Sequence, residues 1–148
     1  LISSAAKQNQ STFAVLADKQ FVNGNGNLVV EYTFRVDSKH EPNITGLNIV
    51  HKLEAEAFNT SIIVGFWQLP NPTKCSFFIS ERYDGTEVNV TYVVLTLQEN
   101  VDYIVTVKTF SDSDTIEATY RTGSETQTIS MTYTRFQKQN PFWPRISG

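Results

Sequence analysis

The chain has 148 residues, of which 40% are apolar and 12% aromatic, a composition typical of a globular protein and not of a disordered one. It carries 12 basic and 15 acidic residues, and no stretch gathers the Lys/Arg stripe that phosphate contacts need, so nucleic-acid binding is excluded. The longest apolar runs, of four or five residues, cannot span a membrane. This length predicts a single domain over residues 1–148.

The first strong strand signal follows the chain breaker Asn23-Gly-Asn-Gly-Asn27. Residues 28–37 alternate apolar and polar side chains, which predicts a half-buried strand. Residues 47–57 alternate in the same way, but residues 46–57 also fit the period of a helix, so both interpretations stay open. Residues 3–9 are the other possible helix.

The middle of the chain continues as short strands separated by turn signals. Residues 62–69 are apolar on both faces and predict a fully buried strand, ended by Pro70-Asn71-Pro72. Residues 75–82 predict the next strand, and the Asp84-Gly85 turn that closes it is typical of β-hairpins. Further strands are predicted at 88–97, 101–110, 116–120 and 129–135. The tail at 140–144 is extended because of its prolines.

Eight or nine short strands at near-regular spacing predict an all-β fold, an antiparallel meander. A meander of this many strands leaves long unpaired edges unless it closes on itself. A closed barrel is therefore favoured over a β-sandwich.

Residues 92–107 resemble the lipocalin hairpin, in which a Tyr-x-Val-Leu strand turns through an Asp-Tyr pair into an apolar strand. Thr134-Arg135-Phe136 follows at the distance at which lipocalins place an arginine at the end of the last strand. Gly65-Phe66-Trp67 also matches the Gly-x-Trp of that family, but it lies mid-chain and not in the first strand, so we treat it as accidental. The resemblance implies a barrel that carries a small apolar ligand, with Arg135 covering its base.

The 18 aromatic residues are the most conspicuous surplus in the composition. A barrel of about eight strands either fills with side chains or holds one small ligand, so aromatic residues on inward faces are core or pocket. The candidate ligand contacts on predicted inward faces are Tyr32, Phe34, His51, Phe66, Phe77, Tyr92, Tyr103 and Tyr133.

Motifs for catalysis are missing from the sequence. It contains no Gly-x-Ser-x-Gly, no P-loop, no His-Glu-x-x-His and no recognisable metal-ligand spacing. We therefore predict no catalytic, metal or cofactor site, and an enzyme is the less favoured class. Its one plausible centre is His51 with an acidic neighbour.

Four Asn-x-Ser/Thr sequons favour the secretory route, since chance gives about two. The predicted glycosylation sites are Asn9, Asn43, Asn59 and Asn89. The chain starts at Leu1 and its only methionine is Met131, which indicates a processed chain or an excised piece.

Cys75 is the only cysteine and cannot form an internal disulfide. We expect a buried small apolar residue near a strand start. An intermolecular disulfide, which would link a homodimer, and a reactive thiol are the alternatives.

Two functions follow from these observations. The leading one is a secreted, non-catalytic carrier that binds a small hydrophobic or amphipathic ligand inside a β-barrel. The alternative is a β-sandwich recognition or adhesion module that acts through its surface.

Overall fold

The computed structural model describes residues 13–15, 28–35, 48–55, 60–71, 74–110, 112–136 and 142–147. Every regular element in this part of the chain is a β-strand. The strands are β1 (Phe13–Val15), β2 (Leu28–Arg35), β3 (Asn48–Ala55), β4 (Thr60–Gln68), β5 (Lys74–Tyr83), β6 (Thr86–Thr96), β7 (Asp102–Thr109), β8 (Thr115–Arg121), β9 (Thr126–Thr132) and β10 (Phe142–Ser147). Among these residues no helix is long and apolar enough to cross a membrane.

The strands form two antiparallel sheets and not a barrel. One sheet has six strands in the order β1-β10-β3-β4-β5-β6, and the other has four in the order β2-β7-β8-β9. Within the described residues neither sheet closes on itself, so the predicted barrel is wrong and a β-sandwich is favoured. The meander holds only for β3 to β6 and β7 to β9, because β2 and β10 pair with strands far away in sequence.

The hairpin predicted at residues 92–107 is also wrong. Strand β6 pairs with β5, whereas β7 pairs with β2 and β8 in the other sheet. The link between them crosses from sheet to sheet through Asn100, whose φ of 57° is left-handed. The Gln98 N–H donates to the Tyr103 hydroxyl at 2.9 Å across this link. Alternation predicts that each segment is a strand but says nothing about its partner.

Other predictions of local structure are confirmed. Residues 48–55 form a strand, which resolves the open choice between strand and helix. The β5–β6 hairpin turns at Asp84 and Gly85, with φ of 49° and 78°, the two positive values that a type I′ turn requires. The possible helix at residues 3–9 lies outside the described residues.

Aromatic rings fill the space between the sheets. Phe66 and Phe77 extend from the six-stranded sheet, and Tyr103 and Tyr120 face them from the other. The Phe66 ring centroid lies 4.8 Å from that of Phe77, 6.0 Å from Tyr103 and 5.8 Å from Tyr120. Edge and tilted contacts at such distances stabilise beyond the apolar area they bury. These residues form a packed core.

Candidate functional site

The outer face of β4, β5 and β6, turned away from the core, is unusually apolar. Trp67 is 50% exposed, Tyr92 61% and Val94 53%. Val88 and Val90 continue the row along β6. Contiguous exposed apolar residues on a folded domain indicate a binding surface.

Strand β6 shows this most clearly, because its outward side chains are more apolar than its inward ones. The outward residues are Val88, Val90, Tyr92 and Val94, and the residues between them are Asn89, Thr91, Val93 and Leu95. A strand that only covers a core has the opposite pattern.

Three of the outward side chains of β6, together with neighbours on β4 and β5, line a groove of about 490 Å³, which we call the outer groove. Its lining residues are Trp67, Leu69, Ser76, Phe78, Arg82, Glu87, Val90, Tyr92 and Val94. Strand register explains the arrangement. Trp67, Ser76 and Val94 are paired across three strands, and Gly65, Phe78 and Tyr92 form a second such row. Gly65 adds no side chain beside Phe78.

One end of the outer groove is polar. Arg82 and Glu87 lie opposite each other in the strand register of the β5–β6 hairpin. A Glu87 carboxylate oxygen accepts a hydrogen bond of 2.7 Å from the Ser80 hydroxyl. Within the part of the chain that the structure describes, the Arg82 guanidinium has no ion-pair or hydrogen-bond partner. This end therefore offers a free donor group and a carboxylate acceptor side by side.

The structure does not gather the predicted ligand contacts around one cavity. Phe66, Phe77, Tyr103 and Tyr133 are buried in the core, and Tyr32 packs against it partly buried. Their role as ligand contacts stays a prediction.

Three predicted contacts lie elsewhere. Tyr92 was expected on an inward face, but it faces the outer groove. For Phe34 and His51 the strand positions are described: Phe34 pairs with Tyr103, and His51 pairs with Val64.

Sequence reasoning missed most of the outer groove, including Trp67, Phe78, Arg82 and Glu87. Trp67 was interpreted as a buried strand residue because residues 62–69 are apolar on both faces. That pattern has a second meaning, since one apolar face can serve a ligand instead of a core.

Three of the four predicted glycosylation sites lie outside the described residues, namely Asn9, Asn43 and Asn59. Asn89 is half-buried, and its side-chain nitrogen donates a 3.1 Å hydrogen bond to the Thr132 carbonyl. Its glycosylation stays a prediction.

Arg135 does not cover a barrel base, as the lipocalin resemblance implied. Its guanidinium carbon lies 5.4 Å from the centroid of the Tyr83 ring, within the range of a cation–π contact.

Cys75 is fully buried in β5, as expected, and burial raises the pKa of its thiol from 9.0 to about 12. The folded state therefore favours the neutral thiol. The contribution of this pKa shift to the free energy of unfolding is complete below pH 9.0 and is lost as the pH rises towards about 12. We expect native protein at pH 8 to react with a thiol reagent far more slowly than protein in urea. Rapid stoichiometric labelling of the native protein would contradict this burial.

Comparison with known proteins identifies the fold. No family model matches the sequence, and a search of curated sequences finds no match. The chain is similar in structure to winged bean acidic lectin complexed with methyl-α-D-galactose (TM-score 0.64, 10% identity, covering 93% of this chain and 70% of that one). It is also similar to toad ovary galectin with thio-digalactose (TM-score 0.54, 10% identity, 95% and 92%). A third similar structure is peanut lectin with a 9mer peptide (TM-score 0.52, 14% identity, 99% and 86%).

These likenesses show a lectin-like β-sandwich. Together with the two open sheets, they overturn the lipocalin resemblance and the barrel carrier that it implied. The alternative, a β-sandwich recognition module, is the function that the findings support.

Proposed function

We propose that this chain is a non-catalytic saccharide-recognition module that binds its ligand in the outer groove. The observation that carries the proposal is a concave aromatic surface, with Arg82 and Glu87 at one end, on a fold shared with lectins. Two of those lectins are complexed with galactosides. The four sequons support the secretory route as part of the same proposal.

The chemistry of the outer groove suits a sugar. A saccharide ring has apolar C–H faces and an edge of hydroxyls, each both donor and acceptor. Trp67 and Tyr92 present flat apolar surfaces to the C–H faces. Arg82 only donates and Glu87, when ionised, only accepts, so neighbouring hydroxyls find complementary partners. A small number of placed polar groups in an apolar site is typical of ligand specificity.

The two charges at the polar end favour a neutral ligand. Arg82 and Glu87 have opposite sign and lie side by side, so the groove has little net field to attract an anionic or cationic sugar.

The affinity is limited by ligand size. A disaccharide of about 23 non-hydrogen atoms at roughly 0.3 kcal/mol each gives a Kd on the order of 10 μM.

Calorimetric titration with neutral glycosides, beginning with methyl-α-D-galactose and thio-digalactose, tests the proposal. A panel of other neutral saccharides extends the test. We expect saturable binding of at least one neutral saccharide, with perturbed NMR resonances of Trp67 and Tyr92. Binding confined to peptides or proteins, with no neutral saccharide bound at millimolar concentration, would overturn the proposal.

A further inference from the structure

Strand β6 lies at an edge of the six-stranded sheet. Among the described strands it pairs only with β5, so the main-chain groups on its other side have no partner strand in this part of the chain. With 11 residues it is also the longest of the described strands. A long edge strand is a template for pairing with another chain unless the protein blocks it.

The usual means of blocking an edge are missing from most of β6. Residues 88–96, which we call the open edge, contain no charged residue, no proline and no glycine. The edge strands β1 and β2 differ, since β1 has only three residues and β2 carries Glu31 and Arg35. Short length and charge are what protects an edge from pairing.

A β-bulge, which can also block an edge, lies only at the start of the open edge. The pairing with β5 shifts by one residue at Val88. From Asn89 to Thr96 it continues without a further shift. The open edge is therefore regular over nearly all of its length.

The other sheet ends in a similar strand on the same flank of the sandwich. Its edge strand β9 lies against β5 and β6, and the Asn89 side chain of β6 donates to the Thr132 carbonyl of β9. Glu87 is the only charged residue in β6 and β9 together. A partner that covers this flank therefore desolvates almost no charge, which would be costly.

The open edge is complementary to itself. Two copies related by a two-fold axis at Tyr92 form an antiparallel pair in which the two Tyr92 rings lie opposite each other and Val90 lies opposite Val94. At each end Val88 lies opposite Thr96. The exposed apolar side chains of both copies meet on the same outer face, where aromatic and β-branched cross-strand pairs are stabilising.

The charges at the two ends of this register have opposite sign. The Lys74 ammonium donates a 2.9 Å hydrogen bond to the Thr96 hydroxyl. Glu87 adjoins Val88, so the pairing brings Glu87 of each copy towards Lys74 of the other. A second copy thus fits the open edge in charge as well as in apolar surface.

We propose that the open edge pairs with that of a second copy, antiparallel about Tyr92, and joins the two six-stranded sheets into one. No disulfide is involved, since Cys75 is fully buried. The two outer grooves then lie on one face, and each copy adds its Tyr92 to the border of the other's groove. The pairing does not rest on the proposed function, whereas a saccharide site shared by two copies does.

Pairing and glycosylation of Asn89 exclude each other. The Asn89 side chain lies at the flank between the edges of β6 and β9, so a bulky glycan there occupies the place of the second copy. In protein from a glycosylating host we expect the dimer fraction to carry no glycan at Asn89, as measured by glycopeptide mass spectrometry. A glycan at Asn89 throughout the dimer fraction would contradict the pairing.

Sedimentation equilibrium of the ligand-free, non-glycosylated chain measures the pairing. We expect a reversible dimer with twice the chain mass of 16.7 kDa. Val88→Lys places an ammonium near Lys74 of the other copy, so the dissociation constant should rise at least about tenfold. Val88→Glu places a carboxylate there and should dimerise at least about tenfold more tightly than Val88→Lys. Val29→Lys, at an exposed residue of the edge strand β2, is the matched control and should leave the dimer unchanged.

A disulfide tests the register. Directly opposed residues of antiparallel strands have Cα atoms roughly 4.5–5.5 Å apart, a distance that a disulfide can bridge. Tyr92→Cys should therefore oxidise to a covalent dimer. Val90→Cys is the matched control on the same face. Its two copies lie four residues out of line, at least roughly 13 Å apart, and should not link.

Three further outcomes would overturn the inference. The first is a monomeric wild-type chain at about 100 μM, a concentration at which specific pairing is populated. The second is a Val88→Lys dimer as tight as that of the wild type, which would place the contact on another surface. The third is a disulfide through Val90→Cys in place of Tyr92→Cys. If wild-type protein binds no saccharide, the proposed function fails, while these ligand-free measurements still decide the pairing.

Discussion

Phe66→Ala is expected to destabilise the domain by roughly 3–5 kcal/mol, a large share of the roughly 5–15 kcal/mol that holds a typical domain folded. Phe66 is fully buried, and its ring contacts three others, those of Phe77, Tyr103 and Tyr120. Truncation removes buried apolar area and leaves a cavity between the sheets that the surrounding rings cannot fill without leaving their rotamers. Urea denaturation, followed by far-ultraviolet circular dichroism, measures the change.

A conservative variant at the same position separates cavity formation from loss of one contact. Phe66→Leu keeps most of the side-chain volume and should lose clearly less stability than Phe66→Ala. A change below about 1 kcal/mol for Phe66→Ala would mean that the rings do not form one packed core.

Trp67→Ala, one residue further along β4, should have the opposite consequence. Trp67 is 50% exposed and lines the outer groove, so we expect at least about a tenfold loss of saccharide affinity, about 1.4 kcal/mol. The free energy of unfolding should change by no more than about 1 kcal/mol, because little of the buried core is removed. Calorimetric titration and urea denaturation of the same preparation give both quantities.

The control for Trp67→Ala is Val29→Ala. Val29 is 55% exposed and lies on the four-stranded sheet, outside the outer groove. It tests whether any loss of exposed apolar surface weakens binding. Equal affinity of Trp67→Ala and wild-type protein would place the ligand elsewhere on the domain.

The neighbours Phe66 and Trp67 also show how far the sequence predicts the site. Alternation places them on opposite faces of β4, and this is correct. What alternation leaves open is which faces are covered, since residues 62–69 are apolar on both. The pattern correctly predicts that the face of β4 that carries Phe66 is buried, but it predicts the same for the face that carries Trp67, which is exposed.

Tyr92 shows a different reason for error. Tyr92 and Phe77 are both predicted on inward faces, which is the register that the Asp84-Gly85 turn gives without a bulge. The inward position is correct for Phe77 and wrong for Tyr92. Arg82 pairs with Glu87 but Glu81 pairs with Asn89, so Val88 is an extra residue on β6. The apolar pattern gives no sign of it, because Val88, Val90, Tyr92 and Val94 would face inward in the register without a bulge. One unrecognised bulge was therefore enough to hide the wall of the outer groove.

The sequence by itself determined the all-β class, the positions of most strands and the Asp84-Gly85 turn, because alternation and turn chemistry involve residues close together in the chain. Only the tertiary structure decided that β6 and β7 belong to different sheets and that Tyr92 points outward. Those choices depend on contacts between distant segments, such as the pairing of β7 with β2 and the hydrogen bond from the Asn89 side chain to the Thr132 carbonyl. Local patterns carry no information on such pairs, since each strand can satisfy its backbone hydrogen bonds with more than one partner and in more than one register.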